Sequence, residues 1–494
     1  MHRSSPQASP LPRTALCELL GCRHPVLLAG MGGVSRAELV AAVTEAGGFG
    51  FLGMVREPLA LIRTEVEHVR RRTDRPFGVN LIPAATDPQL LHEQVALCIA
   101  LRVPVVGLFW DVHHAVIARL REAGTVVVHQ VGSAGEALLA QEAGAQALIA
   151  QGVEAGGHVR GRLPLAQLLS QVLSVTGVPV AAAGGLADGR DMARVLAQGA
   201  QAAVLGTALL ATQESFAHDY HKQRVVQARA GDTVLTEDFH INWPPHAAVR
   251  VLANSVTRCE RGDPCAAGRT VIGEEEGRPI YLFSTDSPLR SMTGNFEAMA
   301  LYAGKGVDRI TSVEPAGERV SRIVAEAARH WRLLEGEPVE VASPVCYAAD
   351  VERDRHAPVI ARLDELLEAE RAGARVTLRS AAQAQDGEMR ELIEAVHRDE
   401  VQWCAMLMRA IRSLQGTPSS RTGDFYDKAM AFEKLDERLA FLNRGQGWVV
   451  KKLRELLPMV DDASIREGLA EMLRAHEANL DKVNRRLGLV RPAH

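Results

Sequence analysis

The chain has 494 residues, 47% apolar and 23% charged, which is enough for two domains with sizeable cores. Its formal net charge is -4, so it lacks the strong basic field that nucleic acid or an anionic membrane surface requires, and the expected partner is a small molecule. Seven cysteines, odd in number and without a C-x-x-C pair, argue against a disulfide framework or a cysteine zinc site and for a reducing compartment.

Residues 1–22 carry no continuous apolar stretch of the signal-peptide kind, and nowhere do 18 uncharged apolar residues run together. The expectation is a short disordered start over 1–22 and a cytoplasmic protein without a membrane span. Association of identical chains is left open.

From Pro25 onward, eight short apolar runs alternate with helical patterns: PVLLAG (25–30), GFGFLG (48–53), PFGVNLI (76–82), PVVGLFW (104–110), TVVVHQV (125–131), ALIAQG (147–152), VPVAAAGG (178–185) and AAVLGT (202–207). The runs are nearly continuous in Val, Ala, Leu and Ile, which marks strands buried on both faces, as in a parallel sheet. Ser35 with Glu38 and Ser133 with Glu136 fit capping boxes, and Gly47, Gly124, Gly144 and Gly199 stand where helices should stop. Eight βα units predict a TIM barrel, with an open doubly wound sheet as the alternative. The barrel domain is expected over 23–335, elaborated after 211 by helices near 213–230, 296–303 and 316–332.

In such a barrel the chemistry lies at the carboxyl ends of the strands. Gly30, Met31, Asn80, Gln130, Gln151, Gly184, Gly185, Gly206 and Thr207 all fall there, so the mouth is expected to be bare backbone with a few polar side chains. Glycine lets backbone N–H groups approach a phosphate closely, and helices starting after Gly185 and Gly206 would add their positive ends. Tight turns alone are the other reading of those glycines.

The string AQGVEAGGHVRG (150–161) adds a histidine, His158, directly after Gly156 and Gly157. Those glycines leave room for a planar ring system, and an imidazole at its edge suits proton transfer. A histidine that merely packs is the competing reading, and the strand-end position decides against it. His129, also at a strand end, keeps the packing reading.

These stretches, with PVLLAGMGGVSRAELVAAVTEAGGFGFLG, AAAGGLADG, VLGTALLAT and YAGKGV (302–307), resemble the nitronate monooxygenase (2-nitropropane dioxygenase) family of FMN-dependent TIM barrels over about residues 23–330. The resemblance implies FMN contacts at Asn80, Gln151, Gly156, Gly185, Gly206 and Thr207, to which the strand-end reading adds Gly30, Met31, Gly157 and Gly184. It implies His158 as the catalytic base, taking the proton alpha to a nitro group or holding the nitronate, with O2 as co-substrate. The chain departs from the family pattern in reading Ala29-Gly30-Met31 at the first strand and His158-Val159-Arg160-Gly161 after the histidine. The FMN-dependent enoyl-acyl-carrier-protein reductases share the glycine and histidine pattern and would add NAD(P)H. Within the segment 257–288, Arg258, Arg261 and Arg269 are candidates to face the mouth, against a solvated loop.

A linker is expected over 336–357, rich in proline and charge. Beyond it, four helical stretches (358–382, 387–414, 424–457 and 462–487) predict a four-helix bundle over 358–490. Glu370, Glu400, Glu433 and His476 interrupt its apolar stripes, one per helix, and must pair or hold a metal because isolated buried charges are costly. The stretch EVQWCAMLMRAIRSLQGTPS (400–419) resembles ferritin-like diiron bundles, yet Trp403 and Leu473 stand where two ligands should be. The expectation is therefore a bundle whose inward groups pair with one another and hold no metal. A partner-docking or oligomerisation module, or a flavin-binding scaffold without turnover, is the other reading of the chain.

Overall fold

In this computed structural model the described residues are 11–262, 264, 269–334, 348–414, 416, 418–419, 421–422 and 424–488. They divide into two compact units, residues up to 338 without 170–177, and 339–494 with 170–177.

The first unit is built on strands β1 (Val26–Leu28), β2 (Phe49–Gly53), β3 (Gly78–Leu81), β4 (Val105–Leu108), β5 (Val126–Val131), β6 (Ala147–Gln151), the short β7 (Gly157–His158), β8 (Val180–Ala183) and β9 (Ala202–Leu205). All but β7 form one closed parallel barrel in chain order, and β9 pairs back onto β1 through Leu27 and Val204. Every one of the eight apolar runs is a barrel strand, because strands covered on both faces have no solvent side to place polar residues on. Phe49, Phe51, Leu27, Val105 and Val128 fill the interior with Leu16 and Leu20. Each such side chain taken from water contributes about 1.5–3 kcal/mol.

Leu16 and Leu20 lie on a helix, Ala15–Leu20, which corrects the expected disordered start for that part; residues 1–10 of that expectation lie outside the described residues. Thr14 caps this helix, and its hydroxyl also donates to the Gln201 carbonyl at 2.8 Å, which ties the segment to the strand β9 end of the barrel. Gly47, Gly124, Gly144 and Gly199 all have positive φ, as helix stops require. Ser133 caps its helix as expected. Ser35 does not: its helix starts at Ala37 behind an uncapped Arg36, and the Ser35 hydroxyl instead donates to Ala29 O (2.9 Å) and accepts from Met31 N (3.2 Å). That serine shapes the β1 turn at the mouth.

Two small sheets follow. Strands β10 (Thr233–Thr236) and β11 (Val249–Leu252) join β7, and β12 (Val271–Glu275) pairs with β13 (Arg278–Tyr281) and β14 (Met292–Gly294). The helices expected at 213–230 and 316–332 are present as Asp219–Gln227 and Ala316–Leu334, whereas 296–303 holds a single 3-10 turn, Phe296–Ala298. Tyr302 there bridges to Val251, so the segment is claimed by sheet pairing.

The second unit contains four long helices, Ala348–Gln383, Gly387–Ser413, Leu435–Leu456 and Ala463–Arg486. The first begins ten residues before the expected start and carries Pro358 within it; the rest of the expected linker, 336–347, lies outside the described residues. The expected 424–457 helix is broken into Phe425–Met430 and Leu435–Leu456. Among the described residues no helix is long and apolar enough to cross a membrane.

Candidate functional site

A cavity of about 860 Å³ opens at the carboxyl ends of the barrel strands. It is lined by Gly30, Met31, Asn80, Gln151, Gly156, Gly157, His158, Gly184, Gly185, Gly206 and Thr207, so the structure brings together the strand-end residues and the histidine loop that the sequence nominated for the mouth. Gln130 lines it as well. His129 does not; it is fully buried in β5, with Nδ1 against the Gln130 carbonyl at 2.9 Å.

The glycines differ in what demands them. At Gly30 a Cβ would fall 2.3 Å from the Asn80 Cβ, and at Gly156 one would meet Ala303 backbone at 2.6 Å, so packing within the protein requires both. Gly157, Gly184 and Gly185 have φ of 78°, 127° and 67°, which side-chain-bearing residues avoid. Gly206 is unlike these: its φ is -104°, and a Cβ there would meet nothing closer than Ala29 at 3.8 Å. Its bareness leaves room in the cavity without easing any contact of the fold.

Of the two expected helix starts, the structure corrects the one after Gly185 and keeps the one after Gly206 as a single turn. The helix after β8 starts only at Gly189, and its amino end is already occupied by carboxylates: Asp188 accepts from Asp191 N, and Glu326 from Gly189 N at 3.0 Å. After β9 a single turn, Thr207–Leu210, starts with Gly206 as its N-cap residue and no side-chain cap. The Thr207 hydroxyl accepts from Gly304 N at 2.9 Å, and Lys305 N donates to Glu154 O, so the YAGKGV segment closes this side of the mouth.

His158 is held from its backbone. In β7 it pairs antiparallel with Val249 of β11, and the Gln151 amide donates to its carbonyl at 2.9 Å while accepting from Arg160 N at 3.3 Å. Gln151 therefore lines the cavity with its amide committed to the histidine loop. The Arg160 guanidinium pairs with Glu136 (2.7 Å) and Asp111 (2.9 Å) and lies over Trp110, which accounts for the arginine after His158 as a bracket on that loop.

The half-buried imidazole stacks on Trp243, ring centroids 3.4 Å apart, with Trp110 edge-on at 6.2 Å and Tyr302 at 5.8 Å. Its Nε2 is hidden from solvent and has no hydrogen-bond partner among the described residues. Burial, with a smaller contribution from the Arg56 charge, holds the ring's pKa well below 6.5, so it is neutral at physiological pH. Trp110 sits at φ 82°, a conformation costing a bulky residue about 1–3 kcal/mol that tends to persist at functional sites. Sequence reasoning missed Trp110, Trp243, Tyr302 and Arg56. Trp110, which ends the fourth apolar run, was the one with a signal. Of the arginines in the 257–288 segment, Arg258 and Arg261 pair with Glu297 and Arg269 lies over Tyr281; Arg278 is the one at the cavity.

A closed parallel barrel whose mouth holds a glycine-lined cavity and a desolvated imidazole defines a barrel enzyme with its chemistry at the strand ends. The chain belongs to the nitronate monooxygenase family, whose model matches residues 13–326. A separate match, to a domain of unknown function (DUF6306), covers 357–485. Among relatives, a Mycobacterium tuberculosis protein named (3aS,4S,5R,7aS)-5-hydroxy-7a-methyl-1-oxo-octahydro-1H-indene-4-carboxyl-CoA dehydrogenase is 40% identical over 349 residues, which is 64% of this chain and 97% of that protein. A probable nitronate monooxygenase of Staphylococcus aureus is 30% identical over 46% of this chain and 76% of its own length. Among solved structures, FabK from Thermotoga maritima superposes with a TM-score of 0.58 at 32% identity, covering 66% of this chain and 99% of FabK. Nitroalkane oxidase from Streptomyces ansochromogenes gives 0.53 at 32% identity, covering 65% of this chain and all of that one. The protein is thus an oxidoreductase of this family.

In the helical unit three of the four inward residues meet. His476 Nε2 lies 3.1 Å from Glu370 Oε1, both about 2% exposed or less. Gln446 links them to Glu400: it faces His476 Nδ1 at 3.0 Å and donates to Glu400 Oε1 at 2.9 Å. Thr377 donates to the other Glu400 oxygen. Glu433 is corrected: it is exposed, in the turn that breaks the expected third helix, and Gln446 occupies the inward place instead. Among the described residues no three His, Cys, Asp or Glu side chains gather as a metal ion would need.

Burial and the neighbouring Glu370 push the Glu400 carboxyl well above 4.5. Burial alone would lower His476, but Glu370 and Asp399 outweigh it and raise its pKa. Both groups bind their proton more tightly folded than unfolded, so the stability they contribute is present at low pH and lost as pH rises through their folded values. Glu400→Gln, which keeps the hydrogen bonds to Gln446 and Thr377 without needing a proton, is expected to flatten the loss of thermal stability as pH rises above the ordinary carboxylate range and to change little below it. Calorimetric melting of the full chain across that range checks it.

Proposed function

We propose that the barrel mouth binds FMN and that the chain oxidises alkyl nitronates and nitroalkanes with O2. The observation that carries this reading is His158: a neutral imidazole on the wall of a cavity whose strand-end rim is rich in glycine. The residues present fit a flat, phosphorylated cofactor. Gly206 leaves space that no contact of the fold uses, and Gly184, Gly185 and Thr207 follow the seventh and eighth barrel strands, where phosphate sites of such barrels sit. Gly30, Met31, Asn80, Gln151, Gly156 and Gly157 line the remaining wall. FMN, when bound, supplies the electron-accepting ring.

The protein's own part is positioning and proton transfer. The β7–β11 pairing and Gln151 fix the His158 backbone, and the stacked Trp243 fixes its ring plane. From there the neutral imidazole takes the proton alpha to the nitro group, and the aromatic wall excludes water from the resulting ion pair.

A second reading is favoured by the 40% identity to a carboxyl-CoA dehydrogenase over 97% of its length: a carbon acid next to a thioester would ask the same of His158. The purified protein, reconstituted with FMN, decides between them. Anaerobic bleaching of the flavin by an alkyl nitronate, with O2 restoring the colour, is the expected result. Bleaching by an acyl-CoA or by NAD(P)H and not by nitronate would replace the first reading with the thioester one.

A further inference from the structure

We propose that Arg56 is the anion-binding residue of the substrate subsite, set to hold the oxygen that gains negative charge when His158 removes the proton. This rests on the carbon-acid chemistry proposed above. Arg56 follows β2 and lines the same cavity as His158. The other cavity-lining arginines are neutralised: Arg36 pairs with Glu57 at 3.2 Å, and Arg278 pairs with Glu275 and Asp286. Arg56 has no carboxylate within ion-pair distance among the described residues. Among the described residues its one hydrogen bond runs from Nη1 to the Asn242 carbonyl at 2.6 Å, which leaves the remaining guanidinium donors for a ligand.

The backbone supports a functional placement. Arg56 lies at φ 57° and Asn242 at φ 74°, left-handed conformations that residues with side chains adopt at a cost. Asn242 immediately precedes Trp243, the ring stacked on His158. One arginine thus secures the wall behind the base and presents a cation to the same cavity. The other titratable and charged groups lining the cavity are Arg36, Glu57, Glu65, Glu275, Glu276, Arg278, Asp286 and Tyr302, and beside burial it is the Arg56 charge that acts on the His158 ring. A cation beside a base opposes the imidazolium that proton abstraction creates. That placement makes chemical sense where the accompanying anion lies against the cation, as a nitronate or an enolate oxygen would.

The test uses FMN-loaded full-length protein with Arg56→Gln and Arg56→Lys. Loss of a charge-assisted hydrogen bond should raise KM for an alkyl nitronate roughly 10- to 100-fold in Arg56→Gln, leave KM for a neutral nitroalkane nearly unchanged, and be partly restored by lysine, which keeps the charge without the fork. Independent of turnover, nitrate is titrated while the His158 imidazole is followed by NMR. Nitrate should bind wild type and lose affinity by a similar factor in Arg56→Gln, and the pH at which His158 protonates should rise. Nitrate binding that is absent from wild type, or equal in wild type and Arg56→Gln, overturns the inference; Arg56→Lys gives the same comparison if the glutamine variant does not fold. Nitrate binding lost in Arg56→Gln from a wild type that does not turn over nitronates would sink the nitronate reading and leave the anion subsite standing.

Discussion

Replacing His158 with alanine is expected to lower kcat/KM for a neutral nitroalkane by roughly 100- to 10,000-fold, the usual contribution of a positioned general base. The flavin should stay bound, because the cradle is backbone and the residues that shape it are packed independently of the imidazole: Gly30 against Asn80, Gly156 against Ala303, Thr207 against Gly304. The preformed nitronate supplies its own carbanion equivalent and should lose far less. That difference between two forms of one substrate separates proton abstraction from mere space filling. In wild type the rate should hold down to pH values well below 6.5, since burial opposes protonation of the ring, and fall only below that. Equal losses for nitroalkane and nitronate would remove the base role.

Much of this site was legible in the sequence for a physical reason. A parallel barrel buries both faces of each strand, so its strands read as uninterrupted apolar runs, and the residue that ends each run stands at the mouth. Gly30, Asn80, Gln151, Gly185 and Gly206 needed no further information than that. What the sequence could not carry were contacts between distant segments. Trp243 lies 85 positions from His158, in a loop with no periodicity, and nothing local foretells a ring stacked at 3.4 Å. Ser35 shows the opposite limit: a local capping signal was present, but the turn that follows β1, through Ala29 and Met31, claimed the hydroxyl. The helical unit repeats both lessons. Glu370, Glu400 and His476 were placed inward by their spacing, whereas Glu433 was misplaced because the turn at 431–434 resets the helical phase. Gln446 escaped notice because an uncharged amide raises no question of burial cost.

Glu370→Leu is expected to destabilise the helical unit by about 3–5 kcal/mol, the cost of breaking a buried ion pair from one side. The reason is asymmetric. Glu370 and His476 are each nearly inaccessible, so the imidazole left behind faces Gln446 on one side and apolar space on the other, with no water to replace the lost carboxylate. Removing both partners together should restore most of the loss, because two apolar side chains of similar volume require no pairing. A pair on the same unit's surface gives the contrast: Lys434 and Glu437 approach to 3.2 Å, yet both are more than half exposed, and Glu437→Ala should leave the melting transition in place. Calorimetric unfolding of the full chain reads all three variants. A Glu370→Leu protein that melts with wild type would mean that the four-residue network does not hold the bundle together. A double variant no better than the single would mean that packing around Glu370, rather than its charge, is what the unit depends on.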